Sequence, residues 1–302
     1  MRFILVPAFA VCIAGESGSS QCVAPCVTTV ERVAQNLAQP TPQGRAGDLW
    51  GGHQSRVVRT AAGEVFVVFT VAGPSPLSSE WRVAHRTSRG WVVVGSGAAG
   101  REPAHLLHSA DDGLWVVAWP AGFPMLWKGN VEGDGFHWTS MHVPGPWVRS
   151  DWPYLSAGVS QSGKLCLLQS VERSTSPPST IVACLDTQQR WTSAKYELDY
   201  RYCYGFVLPE DRGLTWVASR DERWDQLGFH APQGESPWVF NAVKVFHVDS
   251  VGAQLQSTLV HEEPASVNKG PVLALARDAY RDDRGRLHIV YEARGARTSS
   301  GG

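Results

Sequence analysis

GEVFVVFT (Gly63–Thr70), GLWVVAWP (Gly113–Pro120), GKLCLLQS (Gly163–Ser170), GLTWVASR (Gly213–Arg220) and GRLHIVYE (Gly285–Glu292) are five versions of one phrase. Each has a polar turn, a glycine and then a dense apolar run. The first four glycines are each 50 residues apart, and Gly285 follows after 72. Self-similarity at a fixed period of this size marks a repeat architecture. An insertion near 221–237 accounts for much of the longer fourth interval. The runs are apolar at nearly every position, where a half-buried strand would alternate, so these strands are covered on both faces.

Working outward, each glycine is preceded by another strand-like segment: His53–Thr60, Pro103–Ser109, Pro153–Ser160, Cys203–Pro209 and Leu275–Arg281. The first three runs are followed by hairpins: Trp81–Thr87 with Trp91–Ser96, Met125–Lys128 with His137–Val143, and Thr180–Leu185 with Trp191–Leu198. Four strands per unit, packed face to face with neighbouring units, is the composition of a propeller blade. Solenoid coils are shorter, and a sandwich needs no fixed period. The expected fold is therefore all-β, a β-propeller of four-stranded blades with about five blades visible. The last unit stops after its second strand, which predicts a truncated ring of six or seven blades continuing past Gly302.

The hairpin turns carry a recurrent tryptophan: Arg89-Gly90-Trp91, Asp134-Gly135-Phe136-His137-Trp138 and Gln189-Arg190-Trp191. This resembles the Asp-box, or BNR, repeat of sialidase-like propellers, in which Ser-x-Asp-x-Gly-x-x-Trp makes a tight turn and the Trp packs between blades. Gly135 and Trp138 keep that spacing, while Val131 and Gly133 replace the Ser and Asp. Ser109-Ala110-Asp111-Asp112-Gly113 matches the first half of the motif, but at the turn between first and second strands. The resemblance spans about Leu49 to Glu292 and implies the fold far more than an activity.

The composition agrees with an all-β chain: 302 residues, 30 Gly and 13 Trp, with apolar runs punctuated by turn residues. Charged residues make up 18% and the formal net charge is -1, which gives no reason to expect nucleic acid or an anionic membrane as partner. Phe3–Ala14 is apolar but too short to span a bilayer. With Arg2 before it and small residues at Ala14 and Gly15, it reads as a signal peptide over 1–15, hence a secreted or periplasmic protein. An apolar first strand is the alternative. Residues 16–48 read as a linker or lead-in, and 49–302 as the propeller domain. Of the six cysteines, Cys22 and Cys26 are close enough for a loop disulfide. Cys166 and Cys184 fall on neighbouring strands, where pairing stays open, and Cys203 reads as a small buried residue. No cysteine or histidine spacing suits zinc, so neither a metal nor a cofactor is expected.

In a four-stranded blade, the segments leading into first strands and those joining second to third strands open on one face around the channel. The first set offers His53 and Gln54; Arg101 and Glu102; Arg149, Asp151 and Trp152; and Arg201, Tyr202 and Tyr204, with His105 and Tyr154 slightly deeper. The second set offers Trp119, Glu172 with Arg173, and Arg220 with Asp221; the insertion adds Arg223, Trp224, Asp225 and His230. Arginine forms bidentate pairs with carboxylates, and Trp and Tyr suit the apolar face of a sugar ring. The expected partner is an acidic glycan. Substrate binding falls to Arg101, Arg149, Tyr154, Arg201, Tyr204, Arg220 and Trp152. Proton handling falls to Glu102, Asp151, Tyr202 and His53, in hydrolysis or in β-elimination beside a uronate. The other expectation is a non-catalytic carbohydrate-binding or protein-interaction propeller, favoured if aromatics plug the channel.

Overall fold

The computed structural model describes residues 31–108, 113–132, 135–172, 177–225, 227–228, 237–263 and 273–294. The expected signal peptide and the Cys22–Cys26 loop lie outside these residues. The described secondary structure is all β. Blade 1 is β1 (Val57–Arg59), β2 (Val65–Ala72), β3 (Ser79–Thr87) and β4 (Gly90–Gly100). Blade 2 is β5 (His105–His108), β6 (Leu114–Ala118), β7 (Met125–Glu132) and β8 (Gly135–His142). Blade 3 is β9 (Ser156–Val159), β10 (Leu165–Val171), β11 (Ser179–Leu185) and β12 (Trp191–Glu197). Blade 4 is β13 (Tyr202–Pro209), β14 (Leu214–Arg223), β15 (Trp238–Val248) and β16 (Gln256–Glu262). Each blade is an antiparallel meander in chain order.

The fifth repeat supplies one hairpin, β17 (Leu273–Arg281) with β18 (Leu287–Arg294). It lays Ala274, Ala276 and Ala279 on Val217 and Val243 of blade 4. A single parallel bridge, Asn241 to Ala274, joins it to β15. Among the described residues there are thus four complete four-stranded blades and one added hairpin, where about five blades of a larger ring were expected. The reason lies in the long fourth interval. It holds the long strand β15 and the strand β16 that complete blade 4, leaving two strands for the fifth repeat.

The all-apolar runs are explained by burial on two sides. Along β6, Leu114, Val116 and Ala118 join Val58, Phe66 and Trp81 of blade 1, whereas Trp115 and Val117 join Leu165 and Leu167 of blade 3. Along β10, the residues between these, Cys166 and Leu168, join Trp216 and Phe246 of blade 4. Alternate side chains of one strand therefore serve two inter-blade cores. Cys166 and Cys184 are directly opposed in β10 and β11 and form a disulfide. Trp138 does pack between blades: its indole N–H donates to Val94 O (2.8 Å), its ring lies 5.3 Å from that of Trp81, and a Cβ on Gly95 would collide with it.

The stretch before blade 1 is fastened to it. Ala38 N–H donates to Thr70 O (2.8 Å) and Ala46 N–H to Arg101 O (2.9 Å). Asp48 is buried, accepts the Thr70 N–H at 2.6 Å and pairs with Arg56 at 3.2 Å. This path delivers Trp50 to the centre of the propeller.

Candidate functional site at the channel mouth

Trp50 is the hub of the mouth. Its ring lies 5.5 Å from Trp152, 5.4 Å from Tyr154, 5.6 Å from Tyr204 and 6.1 Å from His53. Tyr154 and Tyr204 meet edge to face at 5.3 Å, and Phe240 of β15 closes the far side at 5.2 Å from Tyr204. Trp50, Trp152, Tyr154, Tyr204 and Phe240 all remain partly exposed. The His53 ring lies 5.1 Å from Tyr204 and 5.7 Å from His105, and this cluster of rings suits contact with a flat apolar surface.

Two of these rings sit on strained backbone. Tyr154 has φ 46° and Tyr204 has φ 55°, the left-handed region that costs a bulky L-residue on the order of 1–3 kcal/mol. They occupy equivalent places in consecutive repeats, 50 residues apart. Glu102, only 2% exposed, holds one of these turns: its carboxyl accepts the N–H groups of Tyr154 (3.0 Å) and Leu155 (3.2 Å). The Leu155 carbonyl then accepts from both His53 Nε2 and His105 Nε2, each at 2.9 Å. One turn of blade 3 is thereby tied to blades 1 and 2.

The electrostatics of this layer follow from its burial. Desolvation pushes the Glu102 carboxyl up to about 8, against the opposing pull of its two N–H donors and of Arg201. Burial lowers His53 to about 3 and His105 to about 4, so both rings are neutral N–H donors at neutral pH. Arg201, 7% exposed, is sandwiched between the rings of Tyr154 (4.4 Å) and Trp238 (4.8 Å). It stands 3.5 Å from buried Asp221 and 3.5 Å from half-exposed Glu172. Asp221 is pushed up to about 6, chiefly by burial, and accepts from the Cys203 thiol at 3.5 Å. Cys203 is a free, buried thiol, as expected; burial and the neighbouring Asp221 raise it well above its ordinary value.

Of the residues expected at the site, His53, Tyr154, Tyr204, Trp152, Arg201 and Glu102 converge. Asp151 does not join them: it is exposed at the rim, paired with Arg101 at 2.8 Å. Arg149 is exposed three residues before Trp152. Tyr202 lies in the core between blades 3 and 4, 4.9 Å from Phe246. Successive strand residues point opposite ways, so Arg201 and Tyr202 do not both face the mouth. Arg220 is held within blade 4 by Asn241 (2.8 Å), Glu222 (3.2 Å) and Glu262, beneath the Tyr200 ring. Trp50, Trp238 and Phe240 were missed. Trp50 belongs to no repeat run, and the strand carrying the other two follows the insertion, where the period is lost.

No family model and no curated protein matches the chain. Among solved structures it is similar to the α-L-arabinofuranosidase Arb93A of Fusarium graminearum, at 12% identity and TM-score 0.43, over 68% of this chain and 66% of that one. It is similar to a protein of unknown function from Dyadobacter fermentans at 12% identity and TM-score 0.39, over 61% and 51%. It is also similar to MPT-4, a mannose phosphorylase of Leishmania mexicana, at 11% identity and TM-score 0.44, over 86% and 85%. The chain spans just under two thirds of the first and about half of the second. Likenesses at this level bear on neither substrate nor site.

Proposed function

We propose that the protein is a glycan-binding propeller whose mouth takes the flat face of a sugar ring on Trp50 and Trp152, flanked by Tyr154 and Tyr204. The observation that carries this reading is the strained pair, Tyr154 and Tyr204 at φ 46° and 55°. Two tyrosines kept in a region suited to glycine, at equivalent places and partly exposed, are a cost that ligand contact accounts for. Binding without turnover fits the carboxyls: Glu102 and Asp221 are buried and committed to groups of the protein itself. A preference for an acidic glycan would come from Arg149, which is exposed and has no ion-pair partner among the described residues, rather than from Arg201. The Cys166–Cys184 disulfide supports an oxidising, secreted or periplasmic setting.

One observation favours a second reading, hydrolysis or β-elimination. Glu102 keeps its proton to about pH 8, as a general acid requires. Screening the full chain on neutral, sialylated and uronate-containing glycans, with assays for both binding and cleavage, separates the two. Binding without cleavage, weakened tenfold or more by Trp50→Ala, is expected; a lost aromatic face removes interaction of that order. Cleavage abolished by Glu102→Gln selects the second reading, and no binding to any glycan removes both.

A further inference from the structure

Beside the mouth lies a hollow of about 1130 Å³. Its lining runs through the lead-in from Arg32 to Trp50 and includes Trp152. Two rings of the mouth are therefore walls of the hollow as well. The lead-in wall is built into the fold. Besides the bonds of Ala38, Ala46 and Asp48, Thr41 Oγ1 donates to Pro76 O (2.8 Å), and the Arg45 guanidinium donates to Ser78 O (3.3 Å). Its surface is mixed, with Leu37 and Pro40 beside Gln35 and Asn36. Gln35 and Asn36 are exposed, and their amides make no hydrogen bond among the described residues.

We infer that the ligand is an extended glycan of two or more sugar units, with one ring stacked on Trp50 and Trp152 and the following units lying along the lead-in wall. This rests on the glycan reading above. The hollow exceeds the roughly 300–1,000 Å³ that holds a compact small molecule, so one stacked ring leaves much of it empty. The side-chain amides of Gln35 and Asn36 supply both donors and acceptors, as a row of sugar hydroxyls requires. The pyranose faces have Leu37 and Pro40 to lie against.

The test is titration of the full chain with neutral manno- and cello-oligosaccharides and with oligogalacturonates, each from one to five units. The expected result is affinity that rises at least tenfold from monosaccharide to trisaccharide. In the double variant Gln35→Ala/Asn36→Gly, where glycine preserves the φ of 58° at position 36, the gain with length falls about tenfold, the worth of two hydrogen bonds. Trp152→Ala weakens every length. Equal affinity for all lengths, or a length dependence untouched by the double variant in a chain that melts like the parent, overturns the extended site while leaving the mouth. Failure to bind any member overturns the extended site and the glycan reading together.

Discussion

Two sets of repeat-equivalent positions take left-handed backbone with different residues. At the end where first strands turn into second strands, the turns Thr60–Gly63, Ser160–Gly163 and Asp282–Gly285 share one design. The glycine N–H bonds back to the first residue's carbonyl at 2.9–3.0 Å, and that residue's side-chain oxygen accepts N–H groups at 2.8–3.2 Å. Glycine takes the positive φ: 83°, 91° and 75°. At the mouth the same region is taken by Tyr154 and Tyr204. The glycine turns follow local turn chemistry. The two tyrosines depart from it, and departures from local rules that are held in place by surrounding structure collect where a protein works.

The sharpest way to break this contrast is to cut the polar layer that holds the mouth. Asp221→Ala leaves Arg201 sandwiched between two rings without its buried counter-charge, and a loss of about 3–5 kcal/mol is expected in denaturant unfolding. A loss under about 1 kcal/mol means that Glu172 and water suffice, and that the layer is no closed unit.

Next in size is a pH effect. Glu102 binds a proton in the fold up to about pH 8, whereas its ordinary value is 4.5. The fold therefore binds more protons than the unfolded chain, and stability falls as pH rises through that window. His53 and His105 act in the opposite sense: ordinarily near 6.5, lowered to about 3 and 4, they weaken the fold as pH falls below 6.5. Between pH 6.5 and 8 Glu102 outweighs the two histidines, and a net decline of about 1 kcal/mol is expected. Glu102→Gln should flatten it, and an unchanged slope in that variant assigns the titration elsewhere.

The turn end should respond more mildly. Gly163→Ala forces a Cβ onto φ 91° and should cost about 1 kcal/mol, read as a lowered melting temperature. The smallest effect sharpens the comparison by its sign. Gln189 sits exposed at φ 62° in the β11–β12 turn, at the same end of the blade. Gln189→Gly should stabilise by about 0.5 kcal/mol. Tyr204→Gly, at a nearly identical φ, should instead lose glycan binding. Retained binding in Tyr204→Gly would reduce the strained tyrosines to a packing feature.

Much of the fold was legible because the signals that specify it are local. A glycine after a polar turn and a run covered on both faces are written in ten consecutive residues, and the period repeats them. Twelve strands of the first three blades were recognisable in this way. β15 and β16 were not, because the insertion removes the spacing that gave the others away. At the mouth, His53, Tyr154, Tyr204 and Arg201 were legible from their place before first strands. Trp50 was not, since nothing nearby in the chain tells that a lead-in residue will cross to the channel. Nor did spacing separate Arg201, facing the mouth, from Tyr202, facing the core.

By itself, then, the sequence determined the repeat, the glycine turns, the double-sided cores and the circle of residues eligible for the mouth. All of these depend on periodicity and backbone preference over a few residues. Only the tertiary structure decided that the complete blades number four, that Asp221 and Glu102 face inward with raised affinity for protons, and that the arginines expected to meet a ligand are mostly paired at home. Those outcomes depend on desolvation and on distances between groups 20 to 154 residues apart in the chain. Such quantities exist only once successive blades have packed against one another.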